Sequence, residues 1–138
     1  MKRYKIGYTT GTFDLFHIGH LNILKKSKEM CDFLIVGVST DEVVQSYKHK
    51  VPVIPFKDRV EIIKSIRYVD QVVPQLSMDK FQAWSELHFD VMFHDWKGSS
   101  LYNEYESRLK EVGVEVVYIP HTEGVSSSML TDEIKYGK

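Results

Sequence analysis

Two histidines, His17 and His20, stand three residues apart in the stretch GTFDLFHIGH, with Gly19 between them and Asp14 just upstream. At i and i+3 two side chains share one face of a helix start. Such a terminus carries unpaired backbone N–H groups and a partial positive charge, and phosphate is its usual guest. Imidazoles placed there can donate hydrogen bonds to phosphate oxygens, and when protonated they add charge. Gly19 lets a ligand or a second backbone come close. Gly11 and Thr12 sit where the chain turns out of an apolar, strand-like run. A bare His-x-x-His pair is usually an ordinary surface or core pair. This one, inside a longer string at a strand-to-helix handover, reads as phosphate chemistry. It does not read as a metal site, because helical zinc ligands usually stand at i and i+4 with a third ligand, and the chain has one cysteine, Cys31.

Two more groups have residue types suited to anions. Lys48 and Lys50, in YKHKVP, lie on a basic loop; Arg59 follows on a helix, and Arg67 and Lys80 come later. By composition alone a solvated loop or helix face explains them. The stretch HTEGVSSS, residues 121–128, puts Gly124 and several hydroxyls before a helix. Its glycine supplies a turn, and its serines and free N–H groups suit phosphate or ribose as well as simple capping. Trp84 and the tyrosines are assigned to packing.

The elements that must hold these groups alternate along the chain. Strands are expected at Tyr4–Thr10, Phe33–Ser39, Gln71–Val73, Asp90–Phe93 and Glu115–Ile119. Helices are expected at Ile18–Met30, Phe56–Ile66, from a Ser77 cap to Leu87, at Tyr102–Val112 closed by Gly113, and at Ser126–Lys135. Ile18, Leu21, Leu24 and Ile23 are placed on the buried side of the first helix, and Ser39 with Glu42 forms a capping box for a short one. FLIVGVS is a continuous apolar run, as a strand buried on both faces requires. This βαβαβ order predicts an α/β fold with a single doubly wound parallel sheet. Ligands in such folds bind beyond the carboxyl ends of the strands, so GTFDLFHIGH should line that crevice.

Bulk properties narrow the class. The chain of 138 residues suits one domain, 1–138, and its net charge of −1 gives no general reason to expect nucleic acid or a membrane surface as partner. The basic N-terminus lacks an apolar run and a cleavage site, so no leader or membrane span is expected. A lone thiol fits a reducing cytoplasm.

GTFDLFHIGH closely resembles the GTFDxxHxGH signature of the cytidylyltransferases, within the HxGH nucleotidyltransferase superfamily and its Rossmann-like fold. HTEGVSSS resembles that family's RTEGISTT, IRYVD at Ile66–Asp70 matches its IRYVD, and DWKG at Asp95–Gly98 is similar to its DDWKG. The short length is most like the bacterial glycerol-3-phosphate cytidylyltransferases, which make CDP-glycerol for wall and capsule polymers. The resemblance implies attack by an acceptor phosphate on the α-phosphorus of CTP, with Mg²⁺ arriving on CTP and pyrophosphate leaving. His17 and His20 would bind the triphosphate. Thr12, Phe13, Asp14 and Gly19 would serve the nucleotide through the turn, with Asp14 organising the metal or the loop. Asp95, Trp96, His121, Thr122, Glu123, Gly124, Ser126, Ser127 and Ser128 would complete the nucleotide site. Lys48 and Arg59 join the histidines as catalytic candidates, and Lys48, Lys50, Arg67 and Lys80 are the acceptor-binding candidates. A cytoplasmic homodimer is implied as well.

Two departures stand out. His121 replaces the family's arginine before TEG, exchanging a permanent charge for one that titrates. The strand end VMFHDW is shorter than the family's, lacks its glycine and puts His94 where an aspartate is expected. The alternatives are therefore a CTP-dependent transferase for ethanolamine, choline or ribitol phosphate or a phosphonate, an ATP-dependent one, or a nucleotide-binding paralogue without catalysis.

Overall fold

The computed structural model describes residues 4–77, 79–94 and 100–120. Ten elements follow in order: β1 (Tyr4–Gly11), α1 (Ile18–Glu29), β2 (Cys31–Ser39), α2 (Asp41–Lys48), α3 (Phe56–Lys64), β3 (Gln71–Gln75), α4 (Lys80–Leu87), β4 (Val91–His94), α5 (Ser100–Glu111) and β5 (Glu115–Tyr118). The strands make one five-stranded sheet in the order β3-β2-β1-β4-β5, and every pairing is parallel. The expected doubly wound sheet is the observed one.

The sheet is buried on both faces, which is why β2 has no polar alternation. Leu34, Val36 and Val38 point to one face with Leu24 of α1 and Ile63 of α3. Ile35 and Tyr8 point to the other, where they meet Phe89, Met92 and Leu109, with Trp84 and Leu87 of α4 against them. Each fully buried aliphatic of this kind contributes roughly 1.5–3 kcal/mol relative to exposure. Tyr8 stacks on Phe89 at 4.7 Å, and its hydroxyl lies so close to Gly37 that a Cβ there would meet it at 2.5 Å. The strand order reverses direction between β1 and β4, so the switch-point crevice opens over the carboxyl end of β1.

Several boundaries differ from the sequence expectation, each for a local reason. Thr40, not Ser39, caps α2 by accepting from Val43 N; Ser39 is the last strand residue and its hydroxyl is buried against Gln75. Asp79 rather than Ser77 caps α4, accepting from Phe81 N and Gln82 N, while Ser77 Oγ accepts from Asp79 N. β3 runs on through Pro74 to Gln75, which an edge strand permits because the missing N–H faces outward. Ile18 is 54% exposed on the first turn of α1, so the buried side of that helix begins at Leu24 and Ser27, with Leu21 and Ile23 half-buried. Gly113, at φ +85°, closes α5 as expected: Gly113 N donates to Lys110 O and Val114 N to Leu109 O. The helix expected at Ser126–Lys135 lies outside the described residues.

Candidate nucleotide site

At the carboxyl end of β1 the chain turns sharply. Phe13 and Leu15 adopt φ of 56° and 48°, a left-handed conformation that costs a non-glycine residue roughly 1–2 kcal/mol. Core burial of the Phe13 ring offsets that cost, since the ring is 5% exposed and packs under Gly11, where a Cβ would sit 3.0 Å from it. The turn delivers His17 to the N-cap of α1. His17 Nδ1 accepts from Gly19 N at 3.0 Å, and His17 N donates to His20 Nδ1 at 3.2 Å. This is a reciprocal capping box built from two imidazoles in place of the usual hydroxyl and carboxylate.

That box decides what the histidines can do. Both Nδ1 atoms are occupied as acceptors, so each neutral ring carries its proton on Nε2 and has one N–H to give. The rings stack at 3.9 Å, and Phe13 and Phe16 pack on His20 at 5.4 and 5.3 Å. Burial pushes the His20 pKa down to about 3, helped by the charges of His17 and Lys48 and opposed by Asp14. Burial lowers His17 too. The pair therefore works at neutral pH as two neutral donors, and adds no positive charge of its own. The cation comes from Lys48, whose Nζ lies 3.4 Å from Thr12 Oγ1.

Arg59 was expected to reach a phosphate, and the structure corrects this. The side chain is 0% exposed. Its Nε donates to Ile54 O, Nη1 donates to Thr12 O and Ser39 O, and Nη2 meets Asp41 Oδ1 at 2.6 Å. One guanidinium thus ties together the turn after β1, the end of β2, the start of α2 and the loop before α3. Arg59 positions the site and cannot touch a ligand. Asp14 does a similar task from the surface. Its carboxylate accepts from Val53 N and Ile54 N at 2.8 and 2.9 Å, which fixes the loop that carries Lys50; Lys48, expected on that loop, is the last residue of α2. Of the two roles expected for Asp14, this geometry gives the loop. Lys50 is exposed on that loop.

Two acceptor candidates are not gathered here. Arg67 is exposed, lies over the Tyr68 ring at 5.0 Å and donates to its hydroxyl. It enters β3 from the amino end, beside the Asp70 N to Leu34 O bond, so within this chain it sits at the end of the sheet away from the histidines. Lys80, at the first position of α4, is 2% exposed and lines a small cavity with His94, Tyr118, Glu106 and Leu109. That places it on the sheet face opposite α1. Burial pushes its pKa down to about 8, against the pull of Asp79. His94 ends β4 on the same face, 8% exposed, with its ring 5.8 Å from Tyr118. Asp95, Trp96, His121, Thr122, Glu123, Gly124, Ser126, Ser127 and Ser128 lie outside the described residues. Among those described, no three His, Cys, Asp or Glu side chains are grouped to hold a metal ion, and no helix is long and apolar enough to cross a membrane.

Sequence reasoning missed Asp41 and the buried Ser39–Gln75 pair. The signal for Asp41 was present: an acid in the first turn of a helix, beside a basic loop that needs an anchor. Ser39 gave none, because a strand-end serine looks the same as a cap.

A family model described as cytidylyltransferase-like matches residues 8–133. A glycerol-3-phosphate cytidylyltransferase from Staphylococcus aureus is 39% identical over 94% of each chain, and one from Bacillus subtilis is 36% identical over 91% of this chain and 94% of its own. Among solved structures, a lipopolysaccharide core biosynthesis protein from Thermoplasma volcanium superposes with a TM-score of 0.73 at 24% identity, over 86% of this chain and 97% of that one.

Proposed function

The chain belongs to the cytidylyltransferase-like family, and from that premise we propose that it transfers CMP from CTP to glycerol 3-phosphate, giving CDP-glycerol and pyrophosphate. The observation that carries the reading beyond likeness is the imidazole capping box, which points two neutral Nε2–H donors outward at a helix start over the carboxyl end of β1.

An oxygen of the acceptor phosphate forms a bond to the α-phosphorus. The bond from that phosphorus to the bridging oxygen breaks, and its electron pair leaves with pyrophosphate. The nucleophile is already ionised, so no base is required and catalysis is positioning plus charge stabilisation. His17 and His20 donate to the α-phosphate oxygens where negative charge builds, and such a donor is worth roughly 10²–10³ in kcat. Lys48 and Lys50 neutralise the leaving pyrophosphate and guide the incoming phosphate. The backbone at Thr12, Phe13 and Gly19 lines the triphosphate, and Asp14 and Arg59 hold these parts in register. Lys80 is kept on the opposite face as a cation for an anionic group. Mg²⁺ brought by CTP would supply charge neutralisation at the phosphates. The active species is a cytoplasmic homodimer serving a wall or capsule polymer.

The test is product identity. Purified protein with Mg²⁺, given CTP or ATP against glycerol 3-phosphate, ethanolamine phosphate, choline phosphate and ribitol phosphate, should give a ³¹P spectrum of CDP-glycerol. ATP-dependent product, or preference for a different acceptor, would overturn the assignment.

A further inference from the structure

A cavity of about 240 Å³ opens between the carboxyl end of β3 and α4, on the sheet face opposite α1. Val73, Pro74, Leu76, Ala83 and Leu87 form its apolar wall, and Leu76 is 73% exposed at the rim. Two carboxylates, Asp79 and Glu86, line it, and no Lys, Arg or His does so among the described residues. Tyr8 lies at its floor. That side chain is 1% exposed and runs from β1 across β2 to end over Gly37, where a Cβ would meet its hydroxyl at 2.5 Å. Gly37 pairs with Val73 of the wall, so the hydroxyl is the end of Tyr8 that reaches the cavity. A buried tyrosine hydroxyl usually finds a partner. This one makes no hydrogen bond to a described residue. Burial and the Glu86 charge push its pKa up, so it stays a neutral phenol.

We propose that this cavity binds a small aliphatic primary amine as its ammonium ion, with the charge between Glu86, Asp79 and the Tyr8 hydroxyl and the carbon stem against Pro74, Leu76 and Leu87. The site is separate from the turn that carries the histidines, and it stands whether or not that turn transfers CMP. Its charge has the wrong sign for a triphosphate or a phosphorylated acceptor, since two carboxylates repel an anion. Lys80, the cation next to Asp79, lines the small cavity beside His94 and Tyr118 instead.

The lining selects the chemistry. Carboxylates only accept, and a phenol oxygen has lone pairs to offer. A primary ammonium brings three donors, one each for Glu86, Asp79 and Tyr8, and such charge-assisted bonds are roughly twice as strong as neutral ones. Asp79 Oδ1 already accepts from Phe81 N and Gln82 N, so Oδ2 is the oxygen it offers. A quaternary ammonium has no N–H to give and is held by cages of several aromatic faces. Tyr8 is the only aromatic wall residue among those described, and its ring is stacked on Phe89. A neutral alcohol leaves both carboxylates without a counter-charge. The volume, below the roughly 300 Å³ at which pockets for drug-sized ligands begin, limits the stem to a few carbons.

The probe is n-butylammonium at neutral pH, with n-butanol and tetramethylammonium for comparison. In an ¹H–¹³C spectrum the Ala83 methyl, identified by its loss in Ala83→Ser, should shift with n-butylammonium and saturate at about millimolar concentration. It should stay in place with the other two. Glu86→Gln, a change at an exposed helix position, should weaken binding about tenfold, and Tyr8→Phe, which keeps the ring, about threefold. If Tyr8→Phe fails to fold, Glu86→Gln carries the test. An unmoved Ala83 methyl, a shift that does not saturate, or equal binding in Glu86→Gln overturns the proposal. Equal affinity for n-butanol or tetramethylammonium overturns it as well, because the charge or the N–H groups would then not be what is recognised.

Discussion

Arg59 and Lys80 are both buried cations, on opposite faces of the same sheet, and they are treated in opposite ways. Arg59 is 0% exposed, with every nitrogen of its guanidinium engaged by a carbonyl or by Asp41. Lys80 is 2% exposed, at the N-terminus of a helix whose dipole repels it, and no hydrogen bond reaches its ammonium among the described residues. A planar fork with five donors can satisfy several loops at once, whereas a point charge on a flexible stem cannot. The difference teaches what each cation does. A guanidinium with every nitrogen engaged holds architecture; the Lys80 ammonium instead carries a burial penalty that lowers its pKa to about 8.

The contrast can be broken most severely at Arg59. Arg59→Met leaves the Asp41 carboxylate and the carbonyls of Thr12, Ser39 and Ile54 without their shared donor. Stability should fall by roughly 3–5 kcal/mol in urea unfolding. A loss below about 1 kcal/mol would show that the clamp is not what orders the three loops.

The opposite substitution should have the opposite sign. The Lys80 pKa is about 8 in the fold, against 10.5 for the ordinary side chain. Below pH 8 both folded and unfolded chains carry the proton and the full burial penalty applies. Between pH 8 and 10.5 the unfolded chain binds more protons, so stability rises with pH and the penalty is gone above that window. Lys80→Met should therefore stabilise the protein at pH 7 by up to roughly 3 kcal/mol, with the gain vanishing above pH 10.5. A destabilised Lys80→Met at pH 7 would mean that the ammonium is satisfied after all.

The histidine pair differs from both cations in showing its effect on the acid side. The His20 pKa is about 3 in the fold and 6.5 outside it. The unfolded chain therefore takes up the proton first as pH falls through 6.5, and native stability declines from there toward pH 3. His20→Asn should flatten that part of the stability profile while leaving the Lys80 window intact. An unchanged acid limb would place the proton-sensitive group elsewhere.

The sequence showed the histidine turn better than the contacts that hold it. The placing of His17 and His20 at the start of α1 was legible because it depends on local spacing, i,i+3 on a helix start. The parallel sheet was legible because FLIVGVS has no polar face to offer water. The roles of Arg59 and Asp14 were not, because a buried guanidinium and a surface one are the same letters. Only long-range contacts between the turn after β1, the start of α2 and the loop before α3 tell them apart. Lys80 was masked in the same way, since a lysine at a helix start reads as a solvated face. Ser39 and Gln75 form a pair only through the register of β2 with β3.

The central claim is that two neutral imidazoles, fixed by each other's backbone at the start of α1, stabilise the α-phosphate of CTP. Pyrophosphate release with Mg²⁺, CTP and glycerol 3-phosphate, compared between the wild type and His17→Ala, tests it most directly. The account predicts a fall in kcat of at least about 10², with an intact fold by circular dichroism. Turnover in His17→Ala within a few-fold of wild type would contradict it.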